Sequence, residues 1–109
     1  MRAGELDRRV SLRRYTVKKD AFNADVPSWP EFACVRAAKT DVSDGERLRA
    51  AEQGASVTTR FKIRWSRLAA TLTARDRLEC EGRAYDVVGV KEIGRREGLE
   101  ITANRRGDA

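Results

Sequence analysis

Apolar and polar residues alternate along most of the chain, and this period of two predicts β-strands. The clearest case is SVTTRFKIRWS at 56–66, where Phe61, Ile63 and Trp65 share one face of the predicted strand. The same period runs from Leu6 to Tyr15, and further strands are expected in EFACVRAAKT, RLECEG, RAYDVVGV and LEITANRR. About six short strands joined by close turns predict a mainly β fold, either a small barrel or a sandwich.

Two stretches interrupt this pattern. The segment KKDAFNADVPSWP at 18–30 contains both prolines of the chain together with Asp and Asn residues, and it therefore predicts a loop between strands. Trp29 is expected to anchor the end of that loop. Residues 66–76 predict a short helical or turn segment.

One short helix is expected within a long loop at 41–55. Ser43 followed by Glu46 forms a capping-box pattern, and Gly54 lies where a helix commonly ends. The apolar residues between them are Leu48 and two alanines. Such a thin apolar stripe predicts either a surface element or a helix that packs against a partner subunit.

The stretch at 81–106, EGRAYDVVGVKEIGRREGLEITANRR, predicts two apolar strands around an arginine-rich turn. Arg95 and Arg96 are expected on the exposed turn, available to a neighbouring molecule. The residues expected to supply core and strand pairing are Tyr85, Val87, Val88, Val90, Leu99 and Ile101.

Length and composition narrow the class of protein. A chain of 109 residues fits a single domain over 1–109, large enough to fold around one core. Charged residues make up 37% of the chain, and its uninterrupted apolar runs are too short to span a bilayer. The N-terminal MRAGELDRRVSLRR has no apolar stretch of signal-peptide length, so export by that route is not expected.

The residue types that dominate catalysis and metal binding are missing or badly spaced. The chain has no histidine, and its two cysteines, Cys34 and Cys80, lie far apart without a CxxC motif. We expect both to be reduced and to pack as small core residues. Glu79 and Glu81 share a strand face flanked by arginines, which favours salt bridges over an acid/base pair. No enzyme activity, cofactor or metal is predicted.

The net charge of +6 leaves two interpretations open. It could indicate an anionic partner such as nucleic acid or a membrane surface. However, 18 of the 23 basic residues are arginine, and they are spread along the chain among 17 acidic residues, as in a mixed solvated surface. Arginine suits contacts with protein carboxylates and with phosphates alike.

Several short motifs occur in a characteristic order and spacing: GELDRRVSLRR at 4–14, DAFN at 20–23, Trp29, VRAA at 35–38, DGERLRA at 44–50, TTRFKIRW at 58–65, EGRAYDVVGV at 81–90 and GRREGLEI at 94–101. Together they resemble the phage head-tail joining protein family, which comprises head-closure, stopper and adaptor proteins. The resemblance covers nearly the whole chain, and Asn23 stands where glycine is more usual, a small departure because Asn tolerates a positive φ.

The resemblance implies a small β-barrel with a projecting loop or helix, assembled as a homo-oligomeric ring in the neck of a tailed phage or phage-like particle. Such a ring lies below the portal. Its partners are a portal or adaptor protein on the head side and tail terminator or tail tube proteins on the tail side. Double-stranded DNA passes through it without sequence-specific binding. The implied location is the virion, after assembly in the bacterial host cytoplasm, with no membrane contact.

Within such a ring, the helix segment would gain from adjacent subunits the buried area that it lacks in its own chain. In the isolated subunit we expect weak association and a mobile 41–55 segment. The candidate interface residues are Glu46, Arg47, Leu48, Arg49, Glu52, Arg95 and Arg96.

The alternative is an autonomous nucleic-acid-binding barrel of the OB type. It would follow phosphates with the basic face of residues 60–64 and stack bases on Phe61, Trp65 or Tyr85. The alternation at 60–65 places aromatic and basic side chains on opposite faces, whereas an OB surface needs them together. This arrangement favours the ring component.

Overall fold

The computed structural model describes residues 2–106, and six of its strands close into an antiparallel barrel. The strand order around the barrel is β1-β4-β5-β8-β7-β6, and β2 and β3 form a separate two-stranded sheet. The prediction of a mainly β fold with a short helix is therefore confirmed, and of the two predicted architectures the barrel is the one that forms. The bounds are β1 Arg8–Arg13, β2 Thr16–Lys19, β3 Asp25–Ser28, β4 Glu31–Asp41, α1 Asp44–Glu52, β5 Thr59–Arg64, β6 Arg77–Cys80, β7 Arg83–Ile93 and β8 Gly98–Arg105, with 3-10 turns at Ala3–Glu5 and Ala69–Thr71.

The barrel interior is filled by side chains at every second position of its strands, the positions that face inward. On β5, Phe61 and Ile63 are fully buried, whereas Lys62 between them is exposed. Phe61 meets Tyr85 of β7 edge to face, with ring centroids 5.1 Å apart. The other large buried side chains of the core are Leu12, Leu78, Ile101 and Val10.

The β7–β8 hairpin has the predicted core residues with one exception. Val88 is 41% exposed and is skipped in the register, which passes from Val87↔Ala103 to Gly89↔Thr102. The bulge leaves Val88 without a partner on β8 and turns it away from the core. The expectation that Val88 supplies core and pairing was therefore wrong.

The segment predicted as a loop contains a β-hairpin. Thr16 pairs with Ser28 and Val17 with Pro27, so β2 and β3 form a ladder of their own outside the barrel. The loop prediction was wrong because an edge strand accepts a proline, which lacks the backbone N–H that a central strand needs. The predicted turn at its tip is present, and Asn23 has the positive φ of 62° that its residue type tolerates.

The two cysteines differ in environment. Cys80 is buried on β6, and burial, followed by the nearby charge of Glu81, raises the pKa of its thiol. Cys34 is exposed, which corrects the expectation that it packs in the core. Cys34 pairs with Ser11 of β1, while the neighbouring pair Val10↔Val35 carries the inward-facing side chain Val10. Within residues 2–106, no helix has the length and apolar character needed to cross a membrane.

Candidate assembly surfaces

The predicted helix forms with the predicted signals at its ends. The Ser43 hydroxyl accepts a hydrogen bond from the Glu46 backbone N–H at 3.2 Å, which caps the first turn of α1. Gly54 follows the last turn with a φ of 76°, a conformation that glycine adopts without strain. None of the residues of α1 is buried. The helix is thus stabilised locally and contributes nothing to the barrel core.

A side-chain pair ties α1 to the outer face of β5. The Arg60 guanidinium donates to both Glu46 carboxylate oxygens, with Nη1 lying 2.8 Å from Oε1. The Arg60 Nε atom also lies 3.7 Å from Oε1 of Glu100 on β8. The hydrogen bonds from Arg60 lower the pKa of Glu46, and the same bonds raise the pKa of Arg60. Of the candidate interface residues, Glu46 therefore already has a partner within its own chain, and Arg47 lies 3.9 Å from Asp44.

The remaining candidates on the helix are exposed, but Arg47 and Leu48 also line a cavity that reaches Thr58 and Asn104 at the barrel. Arg47, Leu48, Arg49 and Glu52 are exposed, and Leu48 is 67% exposed. A cavity of about 500 Å³ opens beside Leu48 between the helix and the segment that returns to β5. The exposed surface of α1 thus combines an apolar residue at the mouth of a cavity with charges around it, as protein interfaces commonly do.

Arg95 and Arg96 lie in a different place. Their turn joins β7 to β8 and lies near Arg64, the end of β5 opposite the one that carries α1. Six residues of strand separate the two ends by roughly 20 Å, so the structure does not bring all the candidates together. The Arg96 guanidinium lies 4.8 Å from the centroid of the Trp65 ring, which it partly covers.

The base of the β2–β3 hairpin is held by a buried carboxylate that the sequence analysis missed. Asp76 is 2% exposed and accepts hydrogen bonds from the backbone N–H groups of Tyr15 and Thr73, both at 2.9 Å. It also forms an ion pair with Arg14 at 3.1 Å. A buried charge requires such partners, and here they fix the point at which the chain leaves β1.

Trp29 completes the hairpin base, which confirms the prediction that it anchors this segment. Its indole Nε1 donates to the Arg75 carbonyl at 2.9 Å, and the Arg77 guanidinium lies 3.4 Å from its ring centroid. The Tyr15 ring meets it edge to face at 5.6 Å. The Asp76 network and the Trp29 contacts, here called the hairpin clamp, hold one end of the hairpin against the barrel.

The opposite end of the hairpin is free of such contacts. Phe22 at the tip is 91% exposed, and Val17 and Val26 on the strands are 52% and 41% exposed. The Asp20 side chain accepts from the backbone N–H groups of Phe22 and Ala24 at 2.8 and 2.9 Å and thereby shapes the turn. The hairpin thus exposes apolar side chains to solvent on a turn whose backbone is fixed by hydrogen bonds.

Glu79 lies on β6, whereas Glu81 lies in the turn after it with a φ of 55°, and both form the salt bridges that were expected. Glu79 pairs with Arg13 of β1 at 3.5 Å, and Glu81 pairs with Arg8. Each therefore has a cross-strand cation rather than a second carboxylate. In the part of the chain that the structure describes, no three His, Cys, Asp or Glu residues are grouped as a metal site would require.

The basic face of β5 does not form an open path for phosphates. Arg60 is engaged by Glu46 and Glu100, and the aromatic residue next to it, Phe61, is fully buried. Only Lys62 and Arg64 remain exposed on this strand. Trp65, the half-buried aromatic residue that follows Arg64, has its ring partly covered by Arg96, so it is not the open stacking platform of an OB surface.

Comparison with known proteins agrees with this architecture. The solution structure of protein SF1141 from Shigella flexneri 2a matches the fold with a TM-score of 0.76 over 100% of both chains, at 21% sequence identity. No curated protein matches the chain. A family model described as "Phage head completion protein" matches residues 1–106. The chain therefore belongs to the phage head completion protein family and has a structural role in the head-tail region of the phage virion.

Proposed function

We propose that this protein forms a homo-oligomeric ring in the neck of a tailed phage or phage-like particle. The ring lies below the portal, joins head to tail and surrounds the channel through which DNA passes. On the head side it contacts a portal or adaptor protein, and on the tail side a tail terminator or tail tube protein. Membership of the head completion family supports this placement.

The observation that carries the proposal is the outer face of α1. A helix without a buried residue, held to its own barrel through Glu46, has an entire face available for a neighbour. Arg47 and Leu48 lie at a cavity of about 500 Å³, and Arg49 is exposed on the next side of the helix. In a ring, an adjacent subunit covers Leu48 and supplies acidic partners to the two arginines.

The charge distribution fits a channel that DNA crosses without being held. Of the cations on β5, Arg60 is neutralised by Glu46 and Glu100. A ring that gripped phosphates tightly would retard the passage of DNA. We expect weak, non-specific duplex binding by the isolated protein, which fades between low and physiological salt as counterion release loses its effect.

The test reverses two charges on the helix face. The variant Arg47→Glu/Arg49→Glu is expected to reduce particle assembly at least tenfold while leaving the weak affinity for duplex DNA nearly unchanged. Its matched control is Arg67→Glu/Arg83→Glu, which makes the same change in net charge at two exposed arginines that line neither cavity beside α1. Infectious particles and DNA affinity are measured for both variants.

Two results would contradict the proposal. Normal assembly together with lost DNA binding in the helix variant would restore the autonomous nucleic-acid-binding barrel. Equal loss of assembly in both double variants would show that net charge, rather than the α1 face, is what matters.

A further inference from the structure

The tip of the β2–β3 hairpin is an exposed aromatic knob. Phe22 is 91% exposed, although its backbone N–H is fixed by the Asp20 side chain at 2.8 Å. Asp20 and Asp25 flank the tip, and Asp25 also contacts Lys19. An aromatic side chain this exposed, on a hairpin whose base is clamped, is available to be buried in a partner and would contribute a large apolar area there.

A cavity of matching chemistry lies elsewhere on the same chain. It has a volume of about 470 Å³, and its lining includes Leu6, Val35 and Trp65, with Arg36 and Arg64 also at the site. We call these five residues the socket. Apolar side chains line the depression, while the two arginines contribute positive charge, opposite to that of Asp20 and Asp25, although Lys18 and Lys19 precede them on β2.

The positive charge around the socket is unbalanced within the chain. Arg36 of β4 lies directly opposite Arg9 of β1 in the antiparallel register, and like charges in such a pair repel. Across residues 2–106, no carboxylate lies within salt-bridge distance of Arg9, Arg36 or Arg64. Other arginines on these strands, such as Arg8 and Arg13, do have acidic partners. An acidic group from outside the chain would relieve the repulsion.

We propose that Phe22 of one copy enters the socket of the next copy, with Asp20 and Asp25 facing Arg36 and Arg64. The inference rests on the proposed ring and names one of its subunit contacts. Knob and socket cannot meet within one chain, because Phe22 is exposed and the two sites adjoin opposite ends of β1. A contact between different patches of identical subunits is head to tail, which closes into a ring when the rotation is suitable.

The proposed contact is small. One phenylalanine buries about 150 to 200 Å² of its own surface, well below the area of a stable isolated interface. Two free subunits therefore associate weakly through it. Within a ring, each subunit is already held near its neighbour by the α1 face, and the raised effective concentration fills every socket.

The test mixes two full-length variants that are each defective in one half of the contact. Phe22→Ala, labelled with ¹⁵N, keeps the socket and loses the knob. Unlabelled Arg36→Glu keeps the knob and loses the socket. Adding the second to the first at near-millimolar concentration is expected to shift the signals of Leu6, Val35 and the Trp65 indole N–H. A second addition uses unlabelled Phe22→Ala/Arg36→Glu, which lacks both halves and is expected to leave those signals in place.

Controls separate this contact from general effects. Arg83→Glu changes an exposed arginine away from the socket and, as the unlabelled partner, should shift the same signals because its knob is intact. Phe22→Ala should melt at the same temperature as the unaltered protein, since the side chain makes little contact within its own chain.

The proposal is overturned if partners with and without Phe22 shift the socket signals equally. It is also overturned if a short DNA duplex shifts them and the knob-bearing protein does not, which would assign the socket to nucleic acid. The ring itself is judged separately. If the socket signals do not move while Arg47→Glu/Arg49→Glu still blocks particle assembly, only the knob contact is wrong.

Discussion

The barrel carries two excursions, α1 between β4 and β5 and the β2–β3 hairpin between β1 and β4, and they are attached in different ways. Neither buries a residue of its own helix or strands. The helix is held by Glu46 and Arg60, each with a side chain 32% exposed. The hairpin is held at its base by Asp76, which is 2% exposed. Breaking the buried attachment would destabilise the fold, whereas the surface ion pair can break and be replaced by contacts with a neighbouring subunit.

The largest effect is expected at the buried attachment. Asp76→Ala leaves the backbone N–H groups of Tyr15 and Thr73 and the Arg14 guanidinium without their acceptor. We expect the free energy of unfolding to fall by about 3 kcal/mol, because donors to a buried charged group lose both their partner and their access to water. Chemical denaturation measures the change.

The matched control is Asp7→Ala, which removes an exposed carboxylate that lies 3.7 Å from Arg8. Exposed pairs of this kind contribute little, so its stability should stay within about 0.5 kcal/mol of the unaltered protein. Equal losses in the two variants would remove the distinction between interior and surface attachment.

The two thiols give a second measure of the barrel. Cys34 is exposed and should react promptly with a thiol reagent, whereas buried Cys80, whose pKa is raised, should react only when the barrel opens. A loss of about 3 kcal/mol in Asp76→Ala predicts roughly 100-fold faster labelling of Cys80. Cys34→Ser removes the fast phase and identifies it. Prompt labelling of Cys80 in the unaltered protein would show that the barrel opens far more easily than its packing indicates.

The smallest effect is expected at the surface attachment, and it depends on pH. The pKa of Glu46 is lowered in the folded state, so the Arg60 pair stabilises the fold above the ordinary glutamate pKa of about 4.3 and ceases to do so as the pH falls through the lowered value. The difference in Tm between the unaltered protein and Glu46→Gln should be full at neutral pH and vanish in acid. A difference that grows on acidification contradicts this sign.

The parts of the fold that short-range patterns specify could be predicted from the sequence. The strands of the barrel were predictable from the alternation of apolar and polar residues. Helix α1 was predictable from Ser43 and Gly54, because capping residues interact only with backbone groups a few positions away. The β2–β3 hairpin was not predicted because both of its faces are exposed, so its sequence lacks the alternation of apolar and polar residues that marks a half-buried strand. The role of Asp76 was not predicted because its partners Tyr15 and Arg14 are more than 60 positions away in the chain.

The candidate surfaces were predictable to a lesser degree. A thin apolar stripe predicted the α1 surface, and arginines predicted an exposed β7–β8 turn. That these two surfaces lie at opposite ends of β5 follows from the strand pairing, which the sequence does not show. The orientation of Cys34 depends on pairing between β1 and β4, which alternation within β4 alone leaves open. The socket combines residues from the N-terminal turn, β4 and the end of β5, and no local pattern joins these.

Closure of the barrel has a consequence for a protein made in many copies. Each of its six strands has two neighbours, so among residues 2–106 only β2 and β3 have an edge that is free along the whole strand. Free edges invite strand addition and aggregation, but here Pro27 removes a backbone donor on β3, and Lys18 and Lys19 charge β2. Subunits can therefore accumulate before assembly, with an apolar tip exposed, without templating fibrils.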